Sequence, residues 1–114
     1  FFKDIRYMIL IVDSGATKSD WIALDENGEQ LFLTQTLGLS PEVLTKDVIE
    51  DRLANNFELS KNREKVSHLY FYGAGCGTDR MKFFLKGLFK DFFPNAKIPL
   101  SPSFKIKLFI FYKI

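Results

Sequence analysis

The chain has 114 residues, enough for one domain at most with a modest core. Its 46% hydrophobic and 26% charged residues are ordinary for a globular protein, and a net charge of +2 without a lysine stripe argues against nucleic acid as a partner. One cysteine, Cys76, excludes an internal disulfide and fits a cytoplasmic, reducing setting; no apolar run approaches the roughly 18 residues of a membrane span.

Phe1 to Tyr7 carries charges and lacks the apolar core of a signal peptide. Met8 reads as the native start, with residues 1–7 a tag remnant, upstream translation or a misassigned start. The other reading makes them extra length on the first strand. Ile9 to Val12 is a run of β-branched and aliphatic residues, hence a buried strand, and it stops abruptly at Asp13. The polar loop Ser14-Gly15-Ala16-Thr17-Lys18 follows. A second strand, about Ser19 to Leu24, then completes a hairpin. Asp25-Glu26-Asn27-Gly28 predicts another hairpin turn, because Asn-Gly between apolar segments is the strongest short signal of that kind. Strand three, Gln30 to Thr36, alternates Leu31, Leu33 and Gln35 against Phe32, Thr34 and Thr36.

Gly38-Leu39-Ser40-Pro41 is a loop. Ser40 as N-cap, Pro41 in the first turn and Glu42 beside it predict a helix from about Pro41 to Asn55. Leu44, Val48, Ile49, Leu53 and Phe57 would form its apolar face, and Asn55-Asn56 would stop it. Leu59 to Lys65 reads as a solvated linker or a short helical turn. Val66 to Tyr72 is a strand around His68, ending in Gly73-Ala74-Gly75-Cys76-Gly77. Thr78 or Asp79 caps a helix from Arg80 to about Phe93 with Met81, Phe84, Leu85, Leu88, Phe89 and Phe92 as a core-facing stripe, closed by Pro94. An antiparallel opening followed by strand, helix, strand and helix argues a mixed α/β sheet. Trp21 reads as a sheet residue packed under a helix, and His68 as a packed or surface imidazole.

The first loop carries the chemistry. Glycine lets main chain approach a ligand, successive N–H groups in a tight turn form an anion-binding concavity, and Thr17, Lys18 and Ser19 add donors for phosphate oxygens. Asp13, a carboxylate at the end of a buried strand, is placed to hold hydrated Mg²⁺ beside them. The bland alternative is an ordinary polar hairpin turn. Neither G-x-x-x-x-G-K-S/T nor G-x-G-x-x-G occurs.

The stretch D-S-G-A-T-K-S-D-W resembles the first phosphate loop of the acetate-kinase, sugar-kinase, heat-shock-chaperone and actin superfamily of ATPases. Together with Y-F-Y-G-A-G-C-G-T and F-F-P-N-A-K-I, it is most similar to the N-acetylglucosamine kinase and BadF/BadG/BcrA/BcrD-type ATPases, bacterial kinase-like members among them. The likeness spans about Met8 to Ile98. It implies an incomplete ribonuclease-H-like, actin-like ATPase domain with a mixed sheet of about five strands. It also implies ATP and Mg²⁺, with Asp13, Ser14, Gly15, Thr17 and Lys18 at the nucleotide, Thr17 and Lys18 facing the β- and γ-phosphates, and Asp13 at the metal. Gly73, Ala74, Gly75 and Cys76 would approach a sugar. So would Ser40, which stands where the family has the Asn of a G-x-N-P turn. A tight strand-to-helix turn explains those glycines nearly as well. Cys76 has no neighbouring His to make it a nucleophile.

Members of this superfamily place nucleotide and substrate between two similar domains and are more than twice this long. The chain then reads as the first part of an enzyme that phosphorylates an amino sugar, with a homodimer as one expected assembly and no membrane partner. After Lys97-Ile98 the family has a strand ending in the general base that phosphoryl transfer needs, and here Pro102 and Ser103 occupy that place. No Asp or Glu follows Asp91. Residues 99–114 read as a truncated or frameshifted tail; the alternative is an edge strand over Phe104 to Ile114, with Lys105 and Lys107 between apolar positions. Catalysis by this chain alone is not expected. The competing readings are a BadF-type ATPase that energises a partner protein, disfavoured by the lack of a metal-cluster cysteine motif, and a degenerate domain that binds nothing well.

Overall fold

Strand β1, Ile9–Ser14, runs through the middle of the sheet, and its burial explains its composition. Leu10 and Val12 face one apolar cluster while Ile9 and Ile11 face the other, so both sides of the strand are apolar until Asp13. The computed structural model describes residues 7–73 and 78–99. Four strands form one sheet in the order β3-β2-β1-β4, with β2 at Lys18–Leu24, β3 at Gln30–Leu37 and β4 at His68–Gly73. The pairs β1–β2 and β2–β3 are antiparallel and β1–β4 is parallel. Lys97 makes an isolated parallel bridge to His68, and among the described residues the sheet has four strands where about five are expected. This is the mixed sheet that the sequence predicts.

The second hairpin forms, but not with a two-residue turn of two positive φ angles. Only Gly28 has a positive φ, +80°, and Asn27 does not. The Asp25 carboxylate accepts from the N–H groups of Asn27 and Glu29 (2.8 and 3.0 Å), while the Gly28 N–H donates to the Asp25 carbonyl (3.0 Å). A side chain that satisfies its own turn in this way favours the longer loop.

Three helices follow: α1 at Lys46–Ala54, α2 at Phe57–Asn62 and α3 at Asp79–Phe92. The first starts later than the Ser40 and Pro41 signals predict. Ser40 is buried, and its carbonyl accepts from the Val43 and Leu44 N–H groups in a single turn, after which Thr45 caps the true helix by accepting from the Val48 N–H. A cap hydroxyl five residues downstream wins because it can reach a free helical N–H, whereas Ser40 faces inward. The predicted apolar face is also narrower. Ile49 and Leu53 are fully buried, but Val48 is 38% and Phe57 71% exposed. Leu59, on the segment expected to be a solvated linker or a short helical turn, lies in the short helix α2 and is buried in their stead.

Helix α3 forms where predicted, with Thr78 capping it by accepting from the Met81 N–H. Leu85, Leu88, Phe89 and Phe92 turn inward, but Phe84, predicted on the same stripe, is 38% exposed and Met81 is only half-buried. Its stripe lies on the sheet under Trp21, which has no exposed surface and meets Phe89 edge to face at 6.3 Å between ring centres. The Trp21 indole N–H donates to Thr36 (3.0 Å), so its one polar atom is satisfied inside the core. His68 packs as expected, 5.1 Å from the Tyr7 ring. No described helix is long and apolar enough to cross a membrane.

Candidate phosphate-binding loop

The parallel strands β1 and β4 end side by side, with Ser14 opposite Gly73. The first loop leaves from this end of the sheet, the usual place for ligands in open α/β sheets. The β1 loop is the tight one. Ser14 pairs with Ser19 across the hairpin, and the Gly15 N–H donates to the Lys18 carbonyl (2.8 Å). Gly15, Ala16, Thr17 and Lys18 are all exposed. The N–H groups of Ala16 and Thr17 have no acceptor among the described residues. Two adjacent amides and a lysine at an exposed turn can take an anion.

Strand alternation separates the predicted residues. Ser14 is buried on the helix-covered face, where its hydroxyl accepts from the Leu39 N–H (3.1 Å) and from the Ser19 hydroxyl (2.7 Å). Its side chain is therefore bound inside the protein, at the base of the tip, and its link to the tip is a long contact from the hydroxyl to the Gly15 carbonyl (3.5 Å). Asp13 is half-buried on the opposite face. The hairpin register sets Asp20 directly across from it, and Gln35 donates to the Asp20 carboxylate (2.6 Å). Two like charges opposite one another on a sheet repel. The Gln35 amide offsets part of that repulsion.

Asp20 is the carboxylate that sequence reading left out, although counting outward from the Ser14–Ser19 pair would have found it. Gly38 is the other omission. It lies so close to the first loop that a β-carbon would stand 2.5 Å from the Ala16 carbonyl oxygen. Its signal, a lone glycine after a strand, is common to many turns.

Among the predicted substrate residues, Gly73 ends β4, where a β-carbon would strike the Phe71 ring at 2.5 Å. Ser40 is buried beside the α1 loop. Ala74, Gly75 and Cys76 lie outside the described residues. A cleft of about 670 Å³ opens between the Pro41–Lys46 segment and the start of α3, with Glu42, Thr45, Arg80 and Phe84 on its walls. None of the predicted substrate residues is among its described lining residues, although Ser40 immediately precedes the Pro41–Lys46 segment. Among the described residues no group of three or more His, Cys, Asp or Glu side chains could hold a metal. A cation here would need ligands from a phosphate, in the way Mg²⁺ commonly binds through one or two carboxylates and substrate oxygens.

No protein-family model matches the chain, and no curated protein sequence matches it either. Among solved structures, the crystal structure of the putative N-acetylglucosamine kinase of Porphyromonas gingivalis is similar, with a TM-score of 0.68 and 30% sequence identity. The match covers 79% of this chain and 32% of that one, so the chain spans about a third of the length of this neighbour. The chain thus carries the mixed α/β fold of the sugar-kinase-like ATPases, as far as its described residues run.

Proposed function

We propose that the chain is the phosphate-loop part of an ATP-dependent kinase for an N-acetylated amino sugar, with N-acetylglucosamine as the first substrate to test. The observation that carries this reading is the exposed Gly15–Lys18 tip, set directly after the Asp13 carboxylate in a fold similar to that of the neighbouring kinase. In this reading the Ala16 and Thr17 amides, the Thr17 hydroxyl and the Lys18 ammonium hold phosphate oxygens. Asp13, with Asp20 beside it, orients a hydrated Mg²⁺ that arrives with the nucleotide and offsets charge on the transferring phosphoryl. The cleft at Glu42, Thr45, Arg80 and Phe84 receives the sugar: an aromatic face for the ring, a carboxylate and a guanidinium for its hydroxyls. A general base and the rest of the nucleotide pocket are not supplied by these residues, so binding rather than turnover is the property to measure.

A titration of the ¹⁵N-labelled chain with N-acetylglucosamine tests the sugar half of the proposal. The expected result is shifts confined to amides of residues 42–46 and 78–84, with glucose producing weaker ones. Equal responses to both sugars, or none at the cleft, would remove the amino-sugar assignment.

A further inference from the structure

The tip of the first hairpin is held from behind. A β-carbon at Gly38 would stand 2.5 Å from the carbonyl oxygen of Ala16 and 2.7 Å from that of Gly15, both main-chain atoms that cannot swing aside. Main chain of the tip therefore lies directly against Gly38, while the Ala16 and Thr17 amides find no acceptor among the described residues. The Gly38 N–H donates to the Thr17 carbonyl (3.0 Å), and the neighbouring Leu39 N–H fixes Ser14 at the base of the tip. On the other side of this segment Arg52, in the last turn of α1, donates through Nη1 to the Gly38 carbonyl. Helix, connecting segment and tip form one continuous chain of contacts.

We infer that Arg52 is a positioning residue for anion binding at the tip. It pins Gly38, Gly38 packs against the Gly15 and Ala16 main chain, and that packing holds the tip in the shape that leaves two amides without an acceptor among the described residues. The inference rests on the phosphate reading of the tip, but half of it can be tested without a nucleotide. Amide exchange and Mg-ATP titration would be compared for wild type, Arg52→Met and Arg52→Lys. Arg52→Met is expected to speed exchange at Gly38 and Leu39 about tenfold and to weaken Mg-ATP binding by roughly threefold to tenfold, as loss of a charge-assisted hydrogen bond would. Exchange at Leu10 and Ala23, in the core strands, should stay at the wild-type rate. Arg52→Lys should recover part of both effects, which a merely structural role in α1 would not require. Gly38→Ala keeps Arg52 but removes the space beside the tip, and it should weaken Mg-ATP at least as much.

Wild-type exchange at Gly38 and Leu39 in Arg52→Met would overturn the inference. Faster exchange there with unchanged Mg-ATP affinity would overturn it as well. If the wild type binds no Mg-ATP, the proposed function falls, and the exchange rates alone then decide whether Arg52 orders the tip.

Discussion

The two hairpin tips of this small sheet are built on opposite plans. The β2–β3 tip is self-sufficient: Asp25 is buried, its carboxylate takes two N–H groups of its own turn, and Gly28 supplies the one positive φ. Its polar groups are used up in holding its shape. The β1–β2 tip closes with a single main-chain bond from Gly15 to Lys18 and takes its remaining support from Gly38, Leu39 and Arg52, far along the chain. Its exposed amides stay open. A loop braced from outside can keep its own donors for a ligand, whereas a loop that braces itself cannot. Both tips contain Asp, Gly and small polar residues, so composition does not distinguish them. The destination of their hydrogen bonds does.

Substitutions at the two tips should therefore separate stability from binding. The largest effect is expected for Asp25→Ala, which leaves two turn N–H groups without their acceptor and should cost about 1–3 kcal/mol of stability in urea unfolding. Mg-ATP affinity of the folded fraction should not change. Gly28→Ala imposes a β-carbon on a left-handed residue with open space around it, so only the backbone penalty applies: about 1 kcal/mol by the same measurement, again without effect on Mg-ATP. Lys18→Ala, on the other tip, should change stability by less than about 0.5 kcal/mol, because the side chain is exposed. It should weaken Mg-ATP severalfold in calorimetric titration. A Lys18 variant that unfolds easily but binds normally would reverse the comparison.

Much of this architecture was legible in the residues. The apolar run to Val12, the Trp21 to Leu24 segment and the Phe-rich stripe of α3 each bury enough surface to fix their own place, and the strands and α3 lie close to where periodicity sets them. The start of α1 was not legible, since Ser40 and Thr45 are both competent caps and only burial of Ser40 decides between them. Phe57 misled for a related reason: it continues a helical spacing, but the chain breaks at Asn55 and Asn56, and the new helix turns Leu59 inward. At the site, Asp13 and the Gly15–Lys18 tip could be located from sequence because strand, carboxylate and loop are contiguous. Asp20, Gly38 and Arg52 could not be placed there in the same way. Their positions beside the tip arise from strand register and from contacts between residues up to 23 positions apart. Ser14 shows the converse: it is adjacent to the tip in sequence but, by alternation, its side chain belongs to the interior.

The central claim is that the first tip, and not the second, receives phosphate. A titration of the ¹⁵N-labelled chain with Mg-ATP, read at the backbone amides of both tips, tests it most directly. The account predicts saturable shifts at Ala16, Thr17 and Lys18, reproduced by inorganic triphosphate with Mg²⁺, while Glu26, Asn27 and Gly28 stay in place. Shifts of equal size at both tips, or an unmoved first tip at millimolar Mg-ATP, would contradict it.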